Sequence, residues 1–290
     1  MTERENKLLS RLKRIIKNDA TSKEAVRVFQ KIIYEHHRRN PRDLPWRKTR
    51  NPYRILVSEI MLQQTQVERV LGKYDHFIKR FPDFPSLANA PLSAILKGWQ
   101  GLGYNRRALA LKKIAETVTR DFRGKLPARE NELLKLPGIG RYSASAIVAF
   151  AHDKPSLFIE TNIRRVFIHF FFHDGKNISD AEIMPLIERT LDTSNPREWY
   201  YGLMDYGVML RQLPQDPNMR SAHHRRQTPF QGSNRQVRGK ILRTLVRNPA
   251  ISKEGLISEL GTDPLQVEQN LELLLQEGFL KKKGKSYVIA

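Results

Sequence analysis

The chain of 290 residues contains no cysteine. Disulfides, thiolate zinc sites and iron–sulfur clusters are therefore excluded, because each needs cysteine sulfur, and no cofactor or metal is expected. Acidic residues are scarce: Asp+Glu number 30 against 51 Lys+Arg, a formal net charge of +21. That imbalance says nothing about fold, but it attracts polyanions, and nucleic acid is the first candidate. No apolar run approaches the roughly 20 residues needed to cross a bilayer. The opening stretch, MTERENKLLSRLKRIIKND, is too charged for a secretory signal and reads as an amphipathic helix. A soluble, monomeric, cytoplasmic protein is expected, nucleoid-associated in a prokaryote and with no membrane partner. Internal repeats and low-complexity tracts are also missing.

What remains is a chain that reads helical almost throughout. KEAVRVFQKIIYEHHRR places Val26, Phe29, Ile32 and Ile33 on one face at helical spacing. A turn-rich link follows from Pro41. From Tyr53 one helix is expected to run through RILVSEIMLQQTQVERVLGKYDHFIKRF, until Pro82 and Pro85 stop it. Two more are expected up to Phe122, parted near Gly101 and Gly103. ENELLKL, YSASAIVAFAH, ETNIRRVFIHFFF, AEIMPLIERTL and PREWYYGLMDYGVML complete the helical part. Residues 216–233 are polar, basic and Pro-containing, and read as a linker. Residues 234–290 then give three helices, a strand, a turn at Gly284 and a second strand, the pattern of a winged helix.

LPGIGRYSAS, from Leu136 to Ser145, sets two glycines two residues apart at the start of an apolar helix. Such a turn leaves backbone amides uncovered, and with the helix N-terminus they can hold a DNA phosphate without reading sequence. Taken alone, the same residues suit an ordinary helix C-cap and tight turn. LPGIGRYSASAIVAFA followed by ETNIRRV resembles the helix–hairpin–helix DNA glycosylases. LPWRKTRNPYRILVSEIMLQQTQVERV and GLGYNRRALAL resemble, within them, the MutY-type adenine DNA glycosylases. The resemblance covers about 29–210. It implies an all-α, two-lobed fold with a winged-helix-like module appended. The implied core is 1–215, with one lobe from about 44–152 and a second from 1–43 plus 153–215.

The resemblance also implies roles. Glu59 matches the acid that protonates the departing base. By its residues alone, SEIMLQQ suits either a carboxylate raised in pKa by apolar neighbours or a surface glutamate. Glu160 matches a carboxylate, aspartate in the family, that stabilises positive charge on the sugar. Tyr142 stands where strand-cutting relatives carry a lysine, which implies base hydrolysis without strand cleavage; packing is the plain alternative. Asn162 matches a polar position beside that carboxylate, or caps a helix. Extrusion of the target nucleotide is assigned to Gln63, Gln64 and Tyr104, and phosphate holding to Gly138, Gly140 and Arg141. The implied partner is double-stranded DNA with a mismatched or damaged base, most simply adenine opposite 8-oxoguanine or guanine. A uracil or thymine mismatch enzyme and a non-catalytic DNA binder are the alternatives.

Two stretches depart from the family pattern. After GVML the family carries four cluster-binding cysteines, whereas this chain has RQLPQDPNMRSAHHRR. His223 and His224 read as solvated or phosphate-facing rather than as ligands, and packing near Trp199, Tyr200 and Tyr206 together with Arg contacts is expected to hold the segment. No 8-oxoguanine-reading domain is found either. In the module that stands in its place, the acidic PLQVEQNLELLLQEG makes Lys281, Lys282, Lys283 and Lys285 on the wing the better phosphate contacts; a protein partner is the alternative.

Overall fold

The computed structural model describes residues 3–224 and 230–290. Residues 225–229 of the expected linker, and the first two residues of the expected N-terminal helix, lie outside them. In chain order the first helices are α1 (Glu3–Asn18), α2 (Lys23–Arg39), α3 (Pro52–Leu62), α4 (Val67–Arg80) and α5 (Phe84–Asn89). There follow α6 (Leu92–Trp99), α7 (Arg106–Asp121), α8 (Glu130–Leu133), α9 (Arg141–His152) and α10 (Thr161–Phe171). The last are α11 (Asp180–Thr190), α12 (Pro196–Leu210), α13 (Asn234–Arg247), α14 (Lys253–Leu260) and α15 (Pro264–Gln276). Strands β1 (Ile251–Ser252), β2 (Leu280–Lys283) and β3 (Ser286–Ile289) form a small antiparallel sheet in the order β1-β3-β2. No helix among the described residues is long and apolar enough to cross a membrane.

The chain forms two compact units. One comprises 1–50, 128–130 and 140–226; the other comprises 51–127, 131–139 and 227–290. These divisions fall elsewhere than the expected lobes. Residues 44–50 and α9 go with the terminal stretches, and contacts explain why. Arg197, buried in α12, donates to the carbonyls of Phe150, Arg47 and Thr49. Phe150 of α9 stacks on Tyr201 at 4.8 Å. The C-terminal module groups with the middle of the chain rather than standing apart.

The first unit is built around Phe29. Its ring meets Phe167, Phe170, Phe171 and Trp199 edge-on at 5.1–5.7 Å, a favoured aromatic geometry. The buried face of α2 is completed by Ala25 and Val28, with Val26 at its margin. A charged knot joins α2 to α12. Asp205 is 3% exposed and accepts from His37 Nδ1 at 2.8 Å and Arg47 Nη1 at 2.9 Å. Glu198 lies 3.3 Å from His37 Nε2.

In the second unit α3 is buried on nearly every side; α4 and α7 pack against it, and α6 packs against α4 and α7. The expected continuous helix from Tyr53 is interrupted at 63–66, where Gln64 takes φ +52°. The C-terminal carbonyls of α3 turn to a buried arginine instead of continuing the ladder, as described below. Between Ser86 and Phe122 the chain forms three helices where two are expected. Ala90, preceding Pro91, is extended with ψ 138°, the conformation a following proline imposes, and this ends α5. The C-terminal module has the expected winged-helix pattern, with Val237, Ile241, Leu245, Leu256, Val267, Leu271 and Phe279 in its core. The short β1 adds a third strand that the sequence did not announce.

The His37–Asp205 pair makes stability pH-dependent. The hydrogen bond to Asp205 raises the His37 pKa against the opposing effect of burial. Burial disfavours ionised Asp205, yet His37 and Arg47 outweigh it and hold the carboxyl below its ordinary value. A raised imidazole stabilises the fold below its ordinary pKa of 6.5 and loses that contribution as pH rises through the raised value. A depressed carboxyl contributes above its ordinary pKa of 3.8 and loses the contribution as pH falls. Thermal melting is expected to peak in the mildly acidic range between the two and to decline as pH rises past neutral. In His37→Gln that alkaline decline should flatten; an identical decline would remove His37 as its source.

Candidate active site

Glu59 sits on α3 and is 5% exposed. The surface-glutamate alternative is thereby discarded; of the apolar residues that follow Glu59, Ile60 and Met61 are buried and Leu62 is half-buried. Gln63 ends α3 half-buried, and Gln64 follows it exposed, in left-handed backbone. Gly101, Gly103 and Tyr104 also have positive φ, at 94°, 71° and 45°, so the GLGY turn and the Gln63–Gln64 loop are both strained.

One side chain joins these two loops. Arg107, 8% exposed, donates through Nη1 to the carbonyls of Ile60, Met61 and Gln63, and through Nη2 to those of Leu102 and Gly103. Nη2 also donates to Thr65 Oγ1 at 2.8 Å. Burial brings the Arg107 pKa down to about 10, so the guanidinium remains charged at neutral pH. It thus supplies the donors that a helix C-terminus lacks and draws Gln63 to the same centre as Tyr104. Sequence reading missed it, because the adjacent Arg106 and Arg107 look alike. The available signal was an arginine at helical spacing with Leu111 and Ile114 on the buried face.

The hairpin separates its two glycines. Gly138 has φ +77°, and a Cβ there would lie 2.8 Å from that of Ala110. Gly140 has φ −92°, caps α9 and would meet nothing within 4 Å. Backbone conformation therefore demands glycine at 138 alone, whereas both were expected to be needed for the turn. Both glycines and Arg141 are exposed, and Leu136 and Ile139 between and beside them are buried.

In the other unit Glu160 caps α10. Its Oε1 accepts from the backbone N–H of Asn162 at 2.8 Å and of Ile163 at 2.9 Å, and Oε2 accepts from Asn162 Nδ2 at 3.2 Å. Loss of hydration raises its pKa; the two backbone donors, Arg165 and Arg164 oppose that rise without cancelling it. The cap is therefore Glu160, and Asn162 holds the carboxylate instead of capping. Asn162 is oriented in turn: Arg165 Nη1 donates to its Oδ1 at 2.7 Å and to the Gly207 carbonyl at 3.0 Å. Arg165 is fixed by Asp216, with Nε–Oδ1 at 2.8 Å and Nη2–Oδ2 at 3.1 Å. A Cβ on Gly207 would collide with the Asn162 backbone. Tyr142 is half-buried, edge-on to Phe158 at 5.7 Å. Arg165 was also missed; it is the second of two adjacent arginines in NIRRVFI, and it precedes the apolar Val166, Phe167 and Ile168.

Of the contacts expected to hold the segment after GVML, those made by arginine are present. Arg220 donates to the carbonyls of Phe172, His173 and Ile168. Asn218 Nδ2 donates to the Thr161 carbonyl at 2.8 Å, and Ile178 bridges to Ser221. His223 lies against Asp180, its Nε2 3.7 Å from Oδ2. No group of side chains that could hold a metal ion occurs among the described residues. In the second unit Lys281, Lys282 and Lys283 are exposed along β2, with Lys282 5.7 Å from the Tyr287 ring centre.

Residues 57–191 match a family model described as HhH-GPD superfamily base excision DNA repair protein. The chain is 32% identical over 268 residues to the adenine DNA glycosylase of Mycolicibacterium smegmatis, covering 86% of this chain and 90% of that one. It is 38% identical over 186 residues to the adenine DNA glycosylase of Buchnera aphidicola subsp. Baizongia pistaciae, covering 63% of this chain and 52% of the relative. The chain thus spans about half the length of that relative. Among solved structures, a thermostable thymine-DNA glycosylase superposes with a TM-score of 0.60 at 30% identity, over 69% of this chain and 93% of that one.

Gly138→Ala should destabilise the protein by about 2 kcal/mol through backbone strain and the Ala110 collision, and should weaken duplex binding. Gly140→Ala should melt within a degree or two of the wild type. Equal melting of the two variants would show that the hairpin does not depend on the backbone of Gly138.

Proposed function

This chain belongs to the HhH-GPD superfamily of base excision DNA repair proteins, and on that premise we propose that it is a monofunctional DNA glycosylase acting on a mispaired base in duplex DNA. The observation that carries the reading is the fixation of Glu160 by two backbone N–H groups and by Asn162. A carboxylate held this firmly can meet a developing positive charge without reorganising, which is where electrostatic catalysis gains most. Glu160 differs from the family's aspartate by one methylene and caps its own helix.

The reaction breaks the N-glycosidic bond, and the bonding electron pair leaves with the base. Glu59, buried on α3, gives the departing base its proton, which makes it a better leaving group. Glu160 stabilises the cationic sugar as paired carboxylates do in glycoside hydrolysis. Water adds its oxygen to the sugar carbon and releases a proton, leaving an abasic site. Tyr142 offers no amine for a Schiff base, so the strand stays intact. Gln63, Gln64 and Tyr104 assist extrusion of the nucleotide, and the hairpin holds a phosphate.

Adenine opposite 8-oxoguanine or guanine is the proposed target, supported by similarity to adenine DNA glycosylases. The 30% identity to a thymine-DNA glycosylase supports the second reading, thymine or uracil opposite guanine. A panel of such duplexes, followed by alkaline cleavage of abasic sites, separates them; inertness on every duplex would defeat the enzyme reading. On the active duplex Glu59→Gln should slow base release about a hundred- to ten-thousand-fold and leave binding near normal. Because burial lifts the Glu160 carboxyl and the ionised form is required, single-turnover rates should fall with acid at a pH above the ordinary glutamate value of 4.5. An acidic limb at or below that value would remove Glu160 from the mechanism.

A further inference from the structure

The C-terminal module is fastened to the strained turn on which Tyr104 sits. Glu277, at the end of α15, accepts from Arg106 with one carboxylate oxygen and from Arg238 of α13 with the other. Arg106 is two residues from Tyr104, so this carboxylate ties the module to the first turn of α7. Helix α13 also packs against α6, which leads into the GLGY turn. Above all, Arg235, in the first turn of α13, donates through Nη1 to the Tyr104 hydroxyl at 2.8 Å. Its guanidinium lies 5.7 Å from the ring centre, and Arg107 lies 5.5 Å away.

Tyr104 needs such support. A non-glycine residue at φ +45° is strained by about 1 kcal/mol or more. Its ring is half-buried. Arg107 holds the backbone of the turn through Gly103, and Arg235 holds the far end of the side chain. The acidic helix α15 then has a use that needs no DNA contact of its own: it carries the carboxylate that docks the module.

We propose that Arg235 is a positioning residue through which the C-terminal module holds the Tyr104 ring in the orientation that enters the duplex, so that the module takes part in lesion recognition by supporting the lobe's own probe. The proposal rests on the reading that Tyr104 enters DNA. It does not require that any base be excised.

The test uses the full chain and two duplexes, one with a tetrahydrofuran abasic analogue opposite guanine and one intact. The readout is the ratio of their dissociation constants. Arg235→Ala and Tyr104→Phe should each lower the preference for the abasic duplex about tenfold, a typical loss for a stacking contact. The double variant should lose no more than either single one, since both remove the same link. Tyr104→Phe deletes one oxygen atom and keeps the ring, so it tests the link even if Arg235→Ala folds poorly. An unchanged ratio in either single variant, alongside a lowered ratio in Tyr104→Ala, overturns the proposal. Equal weakening on both duplexes also overturns it and makes Arg235 an ordinary phosphate contact. An unchanged ratio in Tyr104→Ala removes the reading of Tyr104 and the proposal with it. Base release on the mismatch panel, measured separately, shows whether the glycosylase reading fails independently.

Discussion

The guanidinium of Arg107 is the interaction on which the candidate site of the second unit depends. It donates to five backbone carbonyls and one hydroxyl, and so satisfies the end of α3, the loop after it and the GLGY turn together. Each of those segments would otherwise bury acceptors without donors, at a cost of about 1–3 kcal/mol apiece. Left-handed residues at Gln64 and Tyr104 persist because this net of hydrogen bonds over-determines them. The first unit has a counterpart in Arg165, which ties Asp216, Gly207 and Asn162 together and so settles which way the Asn162 amide faces Glu160. In both units a buried arginine, rather than apolar packing alone, fixes the backbone around a candidate carboxylate or probe.

Much of this was legible in the sequence, but unevenly. Helical spacing located α2, which has one apolar face, whereas α9, buried from Ser143 to Phe150, was legible as a run of small and apolar residues. The break after Leu62 was not legible: Gln63, Gln64 and Thr65 contain neither glycine nor proline, and the force that ends the helix comes from a residue more than forty positions away. The hairpin glycines looked equivalent in sequence and are not, since only the fold brings Ala110 against Gly138. Glu160 was placed by its resemblance to an aspartate. That it would cap its own helix followed only from the backbone around it. Arg107 and Arg165 escaped for the same reason, as composition cannot separate a buried arginine from an exposed one.

The segment after GVML shows how a chain without thiols can hold a loop. Arg220 gathers the carbonyls at the end of α10, Asn218 reaches the start of the same helix, and the Ile178 N–H donates to the Arg220 carbonyl while its carbonyl accepts from the Ala222 N–H. Each contact satisfies a main-chain group, so the segment is fixed by hydrogen-bond geometry with little apolar burial. Helix α10, which presents Glu160, is thereby braced at both ends.

The three lysines of β2 have a consequence apart from any ligand. Among the described residues the sheet order β1-β3-β2 leaves β2 on the rim, the position at which a strand can offer backbone donors and acceptors to an approaching extended chain. Three successive ammonium groups there repel the matching strand of another copy, while the opposite rim, β1, is only two residues long. The wing is therefore protected against self-templated aggregation, and substitution of Lys281–Lys283 by neutral residues would expose that rim.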